Sequence, residues 1–101
     1  MRSRTSLHSM LVEAFGSNRV YYQTPENFKM EYPALRYSKS DIISRNADDI
    51  KYSAYTRYEI IIIDKKPDNI SLNKILSMPL SSYDRHYVSD GLHHDVITLY
   101  Y

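Results

Sequence analysis

His93, His94 and Asp95 stand side by side in the sequence, the one cluster whose residue types both bind metal ions and move protons. In an extended strand neighbouring side chains point to opposite faces, so His93 and His94 cannot serve one ion. His93 and Asp95 do share a face, and His86 on an adjacent strand can join them. The flanking residues read as the polar side of a hairpin, so no metal ligand set is assigned. His8, beside the apolar stripe of an N-terminal helix, is read as a surface residue.

Other chemistry finds little support. A hydroxyl nucleophile needs a base and usually a sharp, glycine-flanked turn. Only two glycines occur, Gly16 and Gly91, which also excludes a glycine-rich phosphate loop. Asp48-Asp49 precede Ile50 in a polar stretch and read as solvated acids rather than a catalytic pair. Cysteine is absent, so disulfides, thiolate metal sites and cysteine nucleophiles are excluded. The expectation is a non-enzymatic protein with no cofactor and no catalytic residue.

The 101 residues fit one domain, with 43% hydrophobic and 25% charged residues, values that favour a packed core over disorder. The net charge of +1 argues against a dedicated nucleic-acid binder, which usually carries a strongly basic stripe. Lys65-Lys66 follows a strand and reads as a solvated turn. The longest apolar run is Ile60 to Ile63, too short for a membrane helix, and no apolar run of signal-peptide type follows Arg2 and Arg4. A soluble protein made in a cytoplasm is expected, with no membrane partner. Eleven tyrosines against two phenylalanines and no tryptophan are unusual. A tyrosine ring has an apolar body and a polar tip, suited to surfaces buried on one side and wet on the other.

The elements follow from periodicity. Leu7, Met10, Leu11, Ala14 and Phe15 have the spacing of one helix face. Thr5 or Ser6 is expected to cap its start and Gly16 its end. Arg19 to Gln23 and the run beginning at Pro33 read as strands. The polar segment around Arg45 to Ser53 reads as a loop into a long strand, Tyr52 to Asp64. In that strand Tyr58, Ile60 and Ile62 share one face, while Tyr55, Ile61 and Ile63 share the other. Pro67, Asp68 and Asn69 make a turn into a short helix from Ser71 to about Ser77, with Leu72, Ile75 and Leu76 on its apolar face and Pro79 as its stop. Asp90-Gly91 between alternating runs is a hairpin signal, because both turn positions need positive φ.

These elements predict an α+β fold: a mostly antiparallel β-sheet with two short helices packed on one face. The helices cover Tyr58, Ile60 and Ile62. Nothing else in the chain is evident to cover the opposite face, so Tyr55, Ile61 and Ile63 are expected to be exposed and to contact another subunit. Tyr100 and Tyr101 join them as candidate interface residues, because large rings are enriched at interfaces.

From Tyr21 to Tyr101 the layout resembles the tail-completion proteins of tailed bacteriophages, the group that includes tail terminators at the head–tail joint. The resemblance is carried by the strand Pro33-Ala34-Leu35-Arg36-Tyr37, by Asp48-Asp49 with Tyr52, by the strand Tyr58 through Lys65, and by the closing helix and hairpin. The chain is shorter than many such proteins, with a helix after Asn69 of about two turns. The resemblance implies a single tail-terminator-like domain over 1–101 and a homo-oligomeric, commonly hexameric, ring. Such a ring works in the virion neck after assembly in the host cytoplasm. Its partners would be further copies of itself, the tail tube protein and the head completion or connector proteins, with DNA only passing through the lumen. Two other classes remain open. A small ribonuclease toxin would use Arg85, His86, Tyr87 and the terminal tyrosines. An α+β adaptor would bind a partner by strand addition at a sheet edge.

Overall fold

Seven elements follow one another in the computed structural model, which describes residues 3–23, 31–47, 50–69 and 71–101, with side chains described outside 43–47 and 50–55. They are α1 (Arg4–Phe15), β1 (Val20–Tyr22), β2 (Ala34–Ala47), β3 (Ile50–Asp64), α2 (Leu72–Leu76), β4 (Ser81–Ser89) and β5 (Leu92–Tyr100). The strands form one sheet in the order β1-β2-β3-β5-β4. Among the described residues only β1–β2 is parallel. The sheet is mostly antiparallel and both helices contribute to the core on one of its faces, so the fold is α+β as the periodicity predicts.

Helix α1 forms where Leu7, Leu11 and Phe15, four residues apart, can all be buried on the sheet. Its cap is Ser3 rather than Thr5 or Ser6: the Ser6 backbone N–H donates to Ser3 Oγ at 3.2 Å. Met10 lies off the buried stripe and is 37% exposed. Gly16 ends the helix at φ 76, the left-handed conformation that costs glycine least, and its N–H reaches the Val12 carbonyl at 2.9 Å. Helix α2 is shorter than expected. It buries Ile75, and Ser71 Oγ donates to the Phe15 carbonyl at 3.0 Å, joining its start to the end of α1.

The helix-side core holds Leu7, Leu11, Phe15 and Ile75 against Leu35, Tyr37, Tyr58, Ile60, Ile62, Ile97 and Leu99. The opposite face is also closed, contrary to the expectation that it stands uncovered. Ile61 (6% exposed) and Ile63 (3%) pack with Val96, and Tyr32, Tyr87 and Leu92 lie against them. The cover comes from side chains of strand β4, strand β5 and the approach to β2. Strand alternation alone does not reveal which distant rings will fold over it.

The polar segment read as a loop is instead part of a long ribbon. Arg45 pairs with Ser53, Asn46 with Lys51 and Ala47 with Ile50. Among the described residues β1 flanks β2 only over Leu35 to Tyr37, and β5 flanks β3 from Arg57 to Asp64, with Thr56 bonded to Tyr101. Past those limits the two strands run on together with no third strand beside them among the described residues. Backbone pairing needs no apolar alternation, so this stretch carries no strand pattern. A bulge at the ribbon's base lies between Lys39 and Asp41. There Ser40 Oγ donates to the Arg57 carbonyl at 2.9 Å and Arg57 Nε donates to Ser40 Oγ at 3.1 Å.

Candidate functional site on the β4–β5 hairpin

Asp90 (φ 53) and Gly91 (φ 73) make the expected two-residue turn, which fixes the register of β4 against β5. His86 is thereby set directly opposite Asp95, and Val88 opposite His93. A register shift between Tyr83 and Arg85 adds a residue to β4 at Asp84. Residues three apart in a regular strand face opposite sides. The bulge cancels that alternation, so Tyr83 (opposite Ile97) and His86 (opposite Asp95) both lie on the helix side.

The result is a chain of hydrogen bonds around one buried carboxylate. Asp95 is 5% exposed. Its Oδ1 accepts from the Tyr83 hydroxyl at 2.9 Å and lies 2.8 Å from His86 Nδ1. An ionised carboxylate can only accept, so His86 Nδ1 carries the proton, and in the neutral ring Nε2 holds the lone pair. His93 Nδ1 lies 3.1 Å from that Nε2 and donates to it. Burial holds the Tyr83 hydroxyl above its ordinary pKa, and the bond to Asp95 adds to this because ionisation would destroy it.

A cavity of about 600 Å³ opens beside this network, between Asp68, Asn69, Leu72 and Asn73 on one wall and Tyr83, His86 and Asp95 on the other. The Asp95–His86 pair is the base half of a nucleophile-activating arrangement. No serine or threonine lines the cavity among the described residues. Two imidazoles bonded to each other also cannot flank a phosphate as separate acid and base. No three His, Asp or Glu side chains among the described residues form a metal-binding group.

A second polar cluster fastens α1 to the sheet. The Tyr37 hydroxyl lies 2.8 Å from His8 Nδ1 and accepts from an Arg4 guanidinium nitrogen at 3.4 Å. Arg4 sits 4.4 Å over the Tyr22 ring, whose centroid is 4.9 Å from that of Tyr37. His8, expected at the surface, is half-buried and engaged.

The sequence-predicted interface residues do not converge. The Tyr55 side chain lies outside the described residues, as do Asp48 and Asp49; the Tyr55 backbone pairs with Ile43. Ile61 and Ile63 are buried on the face away from the helices, whereas Tyr101, 6% exposed, belongs to the helix-side core. Tyr100 is half-buried, opposite Arg57. Nor do the residues suspected of RNA cleavage share a side. His86 faces the helices, while Tyr87 stacks on His94 on the opposite face, centroids 4.5 Å apart, with Arg85 5.8 Å from the Tyr87 ring.

No model of a known protein family matches the chain. A search of curated proteins likewise finds no match. What the chain does therefore rests on its own residues and geometry. Among these, Asp68 and Asn69 are read in the sequence only as turn residues, and Tyr83 and Asn73 are not singled out there. Tyr83 enters through a bulge, and Asn73 through its place on α2.

Proposed function

We propose that this chain is a structural subunit of a tailed-bacteriophage neck, working as a tail-terminator ring that caps the tail tube and docks it to the head connector. The observation that supports this is a pair of open strand edges on opposite sides of one sheet. Beyond Tyr37 the outer edge of β2 has no neighbour among the described residues, and it continues to Ala47. At the far side β4 offers an outer edge of nine residues, Ser81–Ser89. Open edges are templates for another strand. Joining the β4 edge of one copy to the β2 edge of the next makes a head-to-tail contact, and such contacts repeat until rotation closes a ring.

The hexameric count and the tube and connector partners come from the sequence resemblance. The net charge of +1 suits a lumen through which DNA passes without being held. The same edges suit a foreign strand, which is the adaptor reading, and stoichiometry separates the two. Native mass spectrometry of the protein alone and with tail tubes is the test. A discrete species near six chains, free or on the tube end, supports the ring. A monomer at all concentrations that leaves tube ends uncapped overturns it.

A further inference from the structure

We propose that His86 and His93 bind a divalent transition-metal ion, with Asp95 orienting the first imidazole. The site goes beyond the assembly reading and does not depend on it. Three features carry it. First, the Asp95 carboxylate fixes the tautomer of His86, since Nδ1–H is committed to Oδ1 at 2.8 Å and Nε2 is left as a lone-pair donor. Carboxylate–histidine–metal arrays have this layout. Tyr83 holds the same oxygen at 2.9 Å, so the orienting group is itself oriented.

Second, the two nitrogens are spaced for a shared ion. His86 Nε2 and His93 Nδ1 are 3.1 Å apart. The ring centroids are 5.3 Å apart, so the free rings meet almost end to end. Each ring turns to aim its lone pair at a common point beside the nitrogen–nitrogen line, where distances of about 2.0–2.1 Å subtend roughly 100° at the metal, near tetrahedral. Binding moves the His93 proton from Nδ1 to Nε2, so that both facing nitrogens become donors and neither ring changes its net charge.

Third, the rings are accessible. The His86 side chain is 35% exposed and His93 is half-buried, so an ion enters from solvent without opening the fold. Nitrogen ligands select zinc, nickel, cobalt or copper over magnesium and calcium, which prefer oxygen. No third His, Asp or Glu among the described residues completes the set, so water fills the remaining positions and the affinity is modest. His94 is a built-in control: its Nδ1 engages the Leu92 carbonyl at 3.0 Å and its ring stacks on Tyr87 across the opposite face.

The experiment is calorimetric titration of the intact protein with Zn²⁺, and with Mg²⁺ for comparison. One Zn²⁺ per chain is expected, with no Mg²⁺ binding. His86→Ala and His93→Ala should each abolish the Zn²⁺ signal, whereas His94→Ala should leave it unchanged. Asp95→Asn should weaken it by about 10–100-fold, the usual effect of losing an outer-shell carboxylate. Circular dichroism confirms that each variant is folded. Absence of Zn²⁺ binding, binding that survives His93→Ala in a folded protein, or equal loss with His94→Ala overturns the proposal.

Discussion

The Tyr101 hydroxyl lies 2.6 Å from Ser6 Oγ, joining residues 95 positions apart. The same hydroxyl donates to Met10 Sδ at 3.4 Å, which leaves Ser6 as the donor to Tyr101. The Tyr101 N–H donates to the Thr56 carbonyl at 3.0 Å, so this one residue binds helix α1 to strand β3. A ring first suspected of contacting another subunit is therefore part of the core. Tyr101→Phe keeps the packing and loses the hydroxyl bonds, and should cost about 1 kcal/mol. Tyr101→Ala also opens a cavity and should cost roughly 3–5 kcal/mol, as for other large aromatic truncations. Urea denaturation of both variants checks the difference. Equal stabilities for the two would show that the ring is not packed.

Tyr37 and Tyr58 make the stability depend on alkaline pH. Burial raises both hydroxyls above the ordinary value of 10.0, with the Arg4 hydrogen bond partly opposing this at Tyr37 and the Tyr22 and Tyr37 neighbours adding to it at Tyr58. An acid whose folded pKa is raised binds its proton more tightly in the native state. Its contribution is complete below the unfolded value near 10 and is lost as pH climbs through the folded value. Stability should therefore hold to about pH 10 and fall above it. Tyr37→Phe with Tyr58→Phe should flatten that fall. Phenolate absorbance followed with pH should show tyrosines that ionise later than in the unfolded chain.

Ile61 now carries a different expectation from the one its exposure pattern suggested. It packs with Ile63 and Val96 beneath Tyr32, Tyr87 and Leu92. Ile61→Ala should cost about 2–4 kcal/mol as a buried truncation, and Ile61→Ser more, because its hydroxyl enters an apolar site. Thermal melts settle this directly. A melting temperature unchanged in Ile61→Ser would mean that the face is open after all.

The parts legible in the sequence are those where burial or φ leaves a mark. The Leu7–Leu11–Phe15 stripe, Gly16 at the end of α1, the inward row Tyr58–Ile60–Ile62 and the Asp90-Gly91 turn were all readable for that reason. The pairing of Arg45 with Ser53, Asn46 with Lys51 and Ala47 with Ile50 was not, because backbone pairing needs no apolar alternation. The hairpin network was half readable: a shared face for His86, His93 and Asp95 follows from strand alternation. Tyr83 joins only through the bulge at Asp84, and no residue type there announces an extra position.

That network predicts non-additive energetics. Asp95 is buried, and its Oδ1 is served by two side-chain donors, Tyr83 and His86. Removing one leaves the other in place, so Tyr83→Phe or His86→Ala alone should cost about 1.5–3 kcal/mol, the range for a hydrogen bond to a charged group. Removing both strips the carboxylate of both donors at the wall of the cavity. The double variant should then lose more than the sum of the singles, by about 1 kcal/mol or more, since residues of one network couple. Replacing Asp95 by Asn in that double background should recover part of the loss, because a neutral amide costs less to bury than an unpaired charge. Denaturant titrations of the three variants and the Asn-containing triple at pH 7 give the coupling. Strict additivity would mean that water already reaches Asp95, and the carboxylate would then no longer count as a buried group held by its neighbours.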